Sequence, residues 1–226
     1  MALIISVLSQ KGGVGKSSLA RLIAREYAFN GWSVRIADMD TSQTTSLLWN
    51  ARRVHYGQEP TIRVESYGAV QTALNKAGEV ELLVFDGAPA SSSTTAQIAQ
   101  ASDLIVLPSG LSLDDLIPQV KLATEFQKAG ILDKQISFLL NSAGQSETEA
   151  AEARSFLEKR GFHVLKAALS QLTCYRRAND RGLAFSETPY ASARKSAELV
   201  GQEIAELASP ATEEPIHDQK QRIQKA

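Results

Sequence analysis

Short apolar runs recur along the chain, at Leu3–Leu8, Val34–Ala37, Leu82–Phe85, Leu104–Leu107 and Ile136–Leu140, each rich in branched aliphatic residues. A run with no polar alternation is what a strand covered on both faces requires. The intervening stretches carry helical spacing. Ser17–Phe29 sets Leu19, Leu22, Ile23 and Tyr27 on one approximate face and closes at Asn30-Gly31. Leu116–Ala129 and Glu147–Arg160 read as later helices, the second with Ala151, Phe156 and Leu157 inward and Gly161 as its stop. Val164–Leu165 starts another short strand. Ala193–Leu207, with Ala197, Val200, Ile204 and Leu207 at helical intervals, reads as a final packing helix. No internal repeat is visible. The alternation predicts an α/β fold: a doubly wound, mostly parallel sheet with helices on both faces.

Length and composition narrow this picture. A chain of 226 residues, 43% hydrophobic, supports one well-buried domain, expected over residues 1–208. Ser209–Ala226, polar and carrying two prolines, reads as a disordered tail. The formal net charge is −1, so any affinity for nucleic acid must come from a local patch. Cys174 is the single cysteine, which excludes an intrachain disulfide framework and a multi-thiolate metal or iron–sulfur site. The start of the chain has no basic leader, and Leu3–Leu8 is too short for a signal core or membrane span. A cytoplasmic, reducing setting is expected.

Directly behind the first apolar run comes QKGGVGKSS, residues 10–18. A glycine-rich turn between a strand and a helix aims backbone N–H groups at one point, and the helix N-terminus adds its positive end. Gly12, Gly13, Val14, Gly15, Lys16, Ser17 and Ser18 thus form a candidate phosphate cradle. Lys16 is placed for the β- and γ-phosphates and the Ser17 hydroxyl for Mg²⁺. The first glycine of the usual loop is replaced by Gln10, and Lys11 is extra.

Two other apolar runs end in acid. Val34–Ala37 is followed by Asp38-Met39-Asp40, and Leu82–Phe85 by Asp86-Gly87-Ala88-Pro89. In a doubly wound sheet the ligand lies beyond the carboxyl ends of the strands. Asp86 there suits a carboxylate that holds Mg²⁺ or its water ligands. Asp38 and Asp40, two apart on an extended strand, should point the same way, one ordering the metal shell and the other the attacking water. The plainer reading has either of them capping the turn at Thr41-Ser42.

KGGVGKS with its added Lys11, then D-M-D followed by Gln43, then FDGAP, closely resembles the deviant Walker A ATPases of the ParA/MinD group over about residues 2–205. That resemblance implies ATP and Mg²⁺ as cofactors and a homodimer formed on ATP binding. Lys11 matches the family's defining lysine, which reaches the partner's ATP phosphates, so Lys16 would serve in cis and Lys11 in trans. A cation supplied by the second subunit makes hydrolysis conditional on dimerisation, as an arginine finger does. By the same resemblance Asp40 organises the hydrolytic water, Asp86 is the Walker B carboxylate and Ser17 the Mg²⁺ ligand. Asp38 is a further candidate for the metal shell. The family usually writes Asp-Pro-Gln where this chain has Asp40-Thr41-Ser42-Gln43. Asn141 resembles a position near the adenine, or is a turn residue; Pro108 resembles part of a nucleotide-facing loop.

The C-terminal sequence separates the family's branches. Residues 215–225 hold two aliphatic side chains besides the proline, too few for the apolar face of a membrane-docking helix. Arg176, Arg177 and Arg181, with Arg194 and Lys195 nearby, resemble the family's late DNA-contacting segment. Arginines that displace phosphate counterions give salt-sensitive, sequence-independent affinity. The alternative is a solvated face, or pairing with the nearby Asp180 and Glu187. The leading expectation is a small ParA-like ATPase, nucleoid-associated when ATP-bound, without an N-terminal operator-binding domain. It would partition DNA or position a cargo, and a ParB-like protein or cargo adaptor would stimulate its hydrolysis. The alternatives are a family-related ATPase for a protein cargo without DNA binding, and a metabolic P-loop ligase or synthetase.

Overall fold

The computed structural model describes residues 1–88, 93–141 and 146–209. Among them, strands β1 (Leu3–Val7), β2 (Val34–Asp38), β3 (Arg63–Ser66), β4 (Leu82–Asp86), β5 (Leu104–Ser109), β6 (Ile136–Leu140) and β7 (His163–Val164) form one sheet. Their order is β3-β2-β4-β1-β5-β6-β7. Every neighbouring pair is parallel, so the strands' carboxyl ends share one edge. The helices are α1 (Lys16–Phe29), α2 (Thr45–His55), α3 (Val70–Leu74), α4 (Ser93–Ala101), α5 (Leu113–Lys128), α6 (Glu147–Glu158), α7 (Thr173–Asp180) and α8 (Ala191–Ala208).

Strand pleating sorts the apolar runs into two cores. In β4, Leu82 and Val84 join a cluster with Leu19, Leu22 and Ile23 of α1, Trp49 of α2 and Val200 of α8. Leu83 and Phe85 face the other way, toward Ile98 of α4, Leu122 of α5 and Leu157 of α6. Leu104/Val106 and Ile105/Leu107 of β5 divide likewise. Each fully buried aliphatic side chain contributes about 1.5–3 kcal/mol, so strands apolar at successive positions are stabilised from both sides.

The five expected strands form, with differences at α6, β5 and α2. Ala151 of α6 is exposed; the inward face runs through Ala153 and Leu157, which lie four apart, whereas Ala151 is two residues out of phase. Phe156 packs against the core as expected but is only half-buried, its ring under the Arg160 guanidinium. Strand β5 continues through Pro108 and Ser109. Helix α2 was hidden by its inverted pattern, since Ser46, Trp49 and Arg53 are buried while Leu47, Leu48 and Val54 face outward. Pro89 of the FDGAP stretch and the polar residues 210–226 lie outside the described residues.

Candidate functional site

Strand β1 delivers the loop 10–18 to the carboxyl edge of the sheet. Gly13 and Gly15 take φ values of +78° and +90°, and a Cβ on Gly15 would stand 2.1 Å from Asn141 Nδ2. Only glycine fits there without displacing the asparagine. Asn141, buried beyond β6, donates its amide to the Val14 carbonyl and so braces the loop from behind. Gln119 of α5 is wholly buried and does the same at the loop's start. It accepts from the Gln10 N–H at 3.2 Å and donates to the Pro108 carbonyl at 2.8 Å. Nothing in the sequence around Gln119 signals that role.

The two lysines occupy different environments. Lys16 opens α1, is 7% exposed, and its Nζ donates to the Lys11 carbonyl at 3.2 Å. Burial lowers its pKa, against the attraction of Asp86 and Asp40. Gly12, Gly13, Lys16, Ser17, Ser18, Asp40 and Thr45 line a cleft of about 340 Å³ around it. Lys11 lies at the rim with a side chain 46% exposed, ion-paired to Asp115 of α5. Partial burial works against the Asp115 carboxylate. Lys11 and the Ser112 hydroxyl more than offset this and hold it below the usual range.

A chain of hydroxyls and carboxylates forms the cleft floor. Thr45 Oγ1 donates to Ser17 Oγ (2.9 Å), Ser17 Oγ to Asp86 Oδ1 (3.1 Å), and Ser46 Oγ to Asp86 Oδ2 (2.7 Å). Arg21 Nε, one helical turn beyond Ser17, donates to Ser46 Oγ at 3.1 Å. Burial, reinforced by Asp38, pushes the Asp86 carboxyl up to about 6, against the bonds from Ser46 and Ser17. Thr45, Ser46 and Arg21 escaped the sequence reading, having no spacing relative to Asp86 that marks them.

Asp38 and Asp40 do not share an environment, contrary to the expectation from their spacing. The chain leaves extended geometry at the strand end, where the Asp40 N–H turns back onto Asp38 Oδ1. Asp38 is 0% exposed, and its other oxygen accepts from the Ser46 and Leu47 N–H groups at 2.9 and 3.2 Å. This anchors the first turn of α2. Burial raises its pKa, against those three backbone donors. Asp40 lines the cleft, and its Oδ1 accepts from Ser42 and Gln43, which lowers its pKa together with the field of Lys16. Thr44, at φ +46°, completes this tightly held turn in a conformation rare for a branched side chain.

The donor set suits a hydrated Mg²⁺: a hydroxyl and a buried carboxylate already hydrogen-bonded to each other, beside a cradle for phosphates. Among the described residues no three His, Cys, Asp or Glu side chains gather into a cage, so phosphates and water would supply the other positions.

Arg176, Arg177 and Arg181 are exposed on and just beyond α7, and Arg177 and Arg181 border an open cavity of about 430 Å³ with Tyr190. Glu187, near them in sequence, is taken up elsewhere, by Arg53 at 2.8 Å and Arg25 at 3.7 Å. Arg194 is drawn toward Glu198 at 3.8 Å, and Lys195 is exposed beside it. Among the described residues no helix is long and apolar enough to cross a membrane.

A parallel sheet with a glycine loop after β1 and a buried acid at the end of β4 defines a P-loop nucleotide-binding domain. More specifically, the family model described as the CobQ/CobB/MinD/ParA nucleotide binding domain matches residues 5–185, and the chain belongs to that family. It is 29% identical over 197 residues to the maintenance of carboxysome distribution protein A of Gloeobacter kilaueensis, covering 85% of this chain and 88% of that one. Among solved structures it is similar to the septum site-determining protein MinD of Pyrococcus horikoshii complexed with Mg-ADP. That match has a TM-score of 0.75 and 17% identity, covering 92% of this chain and 98% of the other. It is also similar to pNOB8 ParA bound to nonspecific DNA, with a TM-score of 0.63 and 14% identity over 92% and 98% of the two chains.

Proposed function

We propose that this chain is an ATPase that dimerises around ATP and Mg²⁺, binds DNA without sequence preference in that state, and so partitions DNA or positions a cargo. The observation that carries the reading is the separation of the two loop lysines. Lys16 is enclosed beside Asp86 and Asp40, while the Lys11 side chain is half-exposed and paired to Asp115 outside that enclosure. Lys16 would bind phosphates in cis, and Lys11 would leave Asp115 to meet the phosphates held by the partner copy. Ser17 and Asp86 would hold the metal, which neutralises charge on the phosphates when bound. Asp40, open to the cleft, would orient the hydrolytic water. Asp38 would act indirectly, by fixing α2.

The arginines at and beside α7 supply the DNA-binding side of the proposal. They are solvent-facing, and Glu187 is engaged by Arg53 and Arg25 instead. One relative of the fold is bound to nonspecific DNA, and a sequence relative is named for carboxysome distribution. Both fit an ATPase that rides the nucleoid, with a partner or cargo adaptor stimulating hydrolysis. The test is binding to random-sequence duplex DNA at two salt concentrations with no nucleotide, with ADP, or with ATP and Mg²⁺. Salt-sensitive binding with ATP alone is the expected result; no binding in any state would overturn the DNA part and leave a protein-cargo ATPase.

A further inference from the structure

Helix α2 joins the nucleotide cleft to the arginine face. Its first turn is inside the cleft floor, where Thr45 bonds Ser17 and Ser46 bonds Asp86. Its later turns hold the end of α7 and the residues that follow. Arg52 Nε donates to the Asn179 carbonyl at 3.3 Å, Arg53 to the Gly182 carbonyl at 3.0 Å, and Trp49 Nε1 to the Leu183 carbonyl at 3.2 Å. The packing here has no slack, because a Cβ on Gly182 would lie 2.2 Å from the Arg53 backbone nitrogen. A second strut bypasses α2: Asn179 Nδ2, on α7, donates to Ser18 Oγ at 3.1 Å, directly behind the phosphate loop. The same amide's Oδ1 is buried without a hydrogen-bond partner among the described residues, so a small shift that offers it a donor is favoured.

We infer that α2 and Asn179 form a link within one protomer that transmits filling of the nucleotide cleft to the arginines at and beside α7. The inference rests on the proposed reading that this face binds DNA under nucleotide control. Ser17 and Asp86, were they to hold nucleotide and metal, would loosen their bonds to Thr45 and Ser46, and Ser18 lies on the same turn. One ligand then acts on the cleft end of both struts, and their other ends hold the residues at and beside α7, so a shift of either strut reaches both sites.

Cys174, the single cysteine of the chain, lies on α7 and lines the cavity beside Arg177 and Arg181. Its alkylation rate by iodoacetamide reports on α7 without DNA. In the full chain, Mg·ATP is expected to change that rate about fivefold, the lower end of ordinary intersite coupling. In Asn179→Ala the change should fall below about twofold at equal nucleotide occupancy and equal association by light scattering. Arg52→Gln, which loosens the other strut, should show the same loss and guards against a folding defect in the first variant. A wild-type rate indifferent to bound Mg·ATP, or variants that respond as fully as wild type, would overturn the link. DNA binding measured on the same samples separates the two ideas. A Cys174 response lost in both variants, without DNA binding by the wild type, upholds the link and removes the DNA reading.

Discussion

The nucleotide cleft and the face around α7 both present cationic side chains, in opposite physical states. In the cleft the cations are enclosed and bonded, Lys16 to the Lys11 carbonyl and Arg21 to Ser46, which in turn bonds Asp86. Around α7, Arg176, Arg177 and Arg181 stand in solvent. An enclosed network acts through particular bonds, so truncating one member leaves the others buried and unpaired, whereas an isosteric change alters its charge alone. An exposed set acts through its summed field, so its members contribute in parallel and salt screens them all.

That contrast predicts a graded series of effects. Asp40→Ala should lower ATP hydrolysis by about 10²- to 10⁴-fold, the range for removal of a proton-handling group, while ATP-driven dimers persist. Hydrolysis near the wild-type rate would place the water-orienting group elsewhere. Lys16→Ala should weaken nucleotide binding about 100-fold, as expected for two charge-assisted hydrogen bonds. Equal affinities by calorimetry would remove Lys16 from the cradle. Replacing Arg176, Arg177 and Arg181 together by alanine should weaken DNA binding by about 10- to 100-fold and leave nucleotide affinity alone. The slope of log affinity against log salt should flatten by about 0.9 for each DNA phosphate that is no longer neutralised. An unchanged salt slope would move the DNA surface elsewhere.

The smallest effect concerns stability. Burial holds the Asp86 carboxyl near 6 in the fold, against 3.8 when unperturbed, so its ionisation opposes folding. Below about pH 4 the group is largely neutral in both states; the cost grows as pH rises and is complete above about pH 6. Asp86→Asn should therefore stabilise the nucleotide-free protein at about pH 7.5 by about 1–3 kcal/mol, with the gain vanishing toward about pH 4. A stability difference that does not change with pH would show that Asp86 does not carry this charge penalty.

What could be read from the sequence was what lies close together along it. The run Leu3–Leu8, the loop that follows and the acid after Leu82–Phe85 each carry their meaning within a few residues. The missing parts are partners set by strand order. Asp115 meets Lys11 across 104 positions, Ser46 meets Asp86 across 40, and Gln119 reaches back to Gln10 across 109. The same cause misplaced Asp38. Its spacing from Asp40 indicated a shared direction, but the N–H groups of Ser46 and Leu47, delivered by α2, enclosed it. Glu187 shows the converse, being near Arg181 in sequence and bonded to Arg53 in the fold.

The division of labour between the two lysines is tested most directly by mixing Lys11→Ala with Asp40→Ala. Each variant alone should hydrolyse ATP poorly, one lacking the lysine given to its partner and the other the group that orients water. In a mixed dimer of the proposed kind the Lys11→Ala protomer would keep its own Asp40 and would receive Lys11 from its neighbour, so one of two sites would work. Statistical pairing of equal amounts should then restore about a quarter of the wild-type rate. A mixture no more active than its components, or a Lys11→Ala protein as active as wild type by itself, would contradict the account.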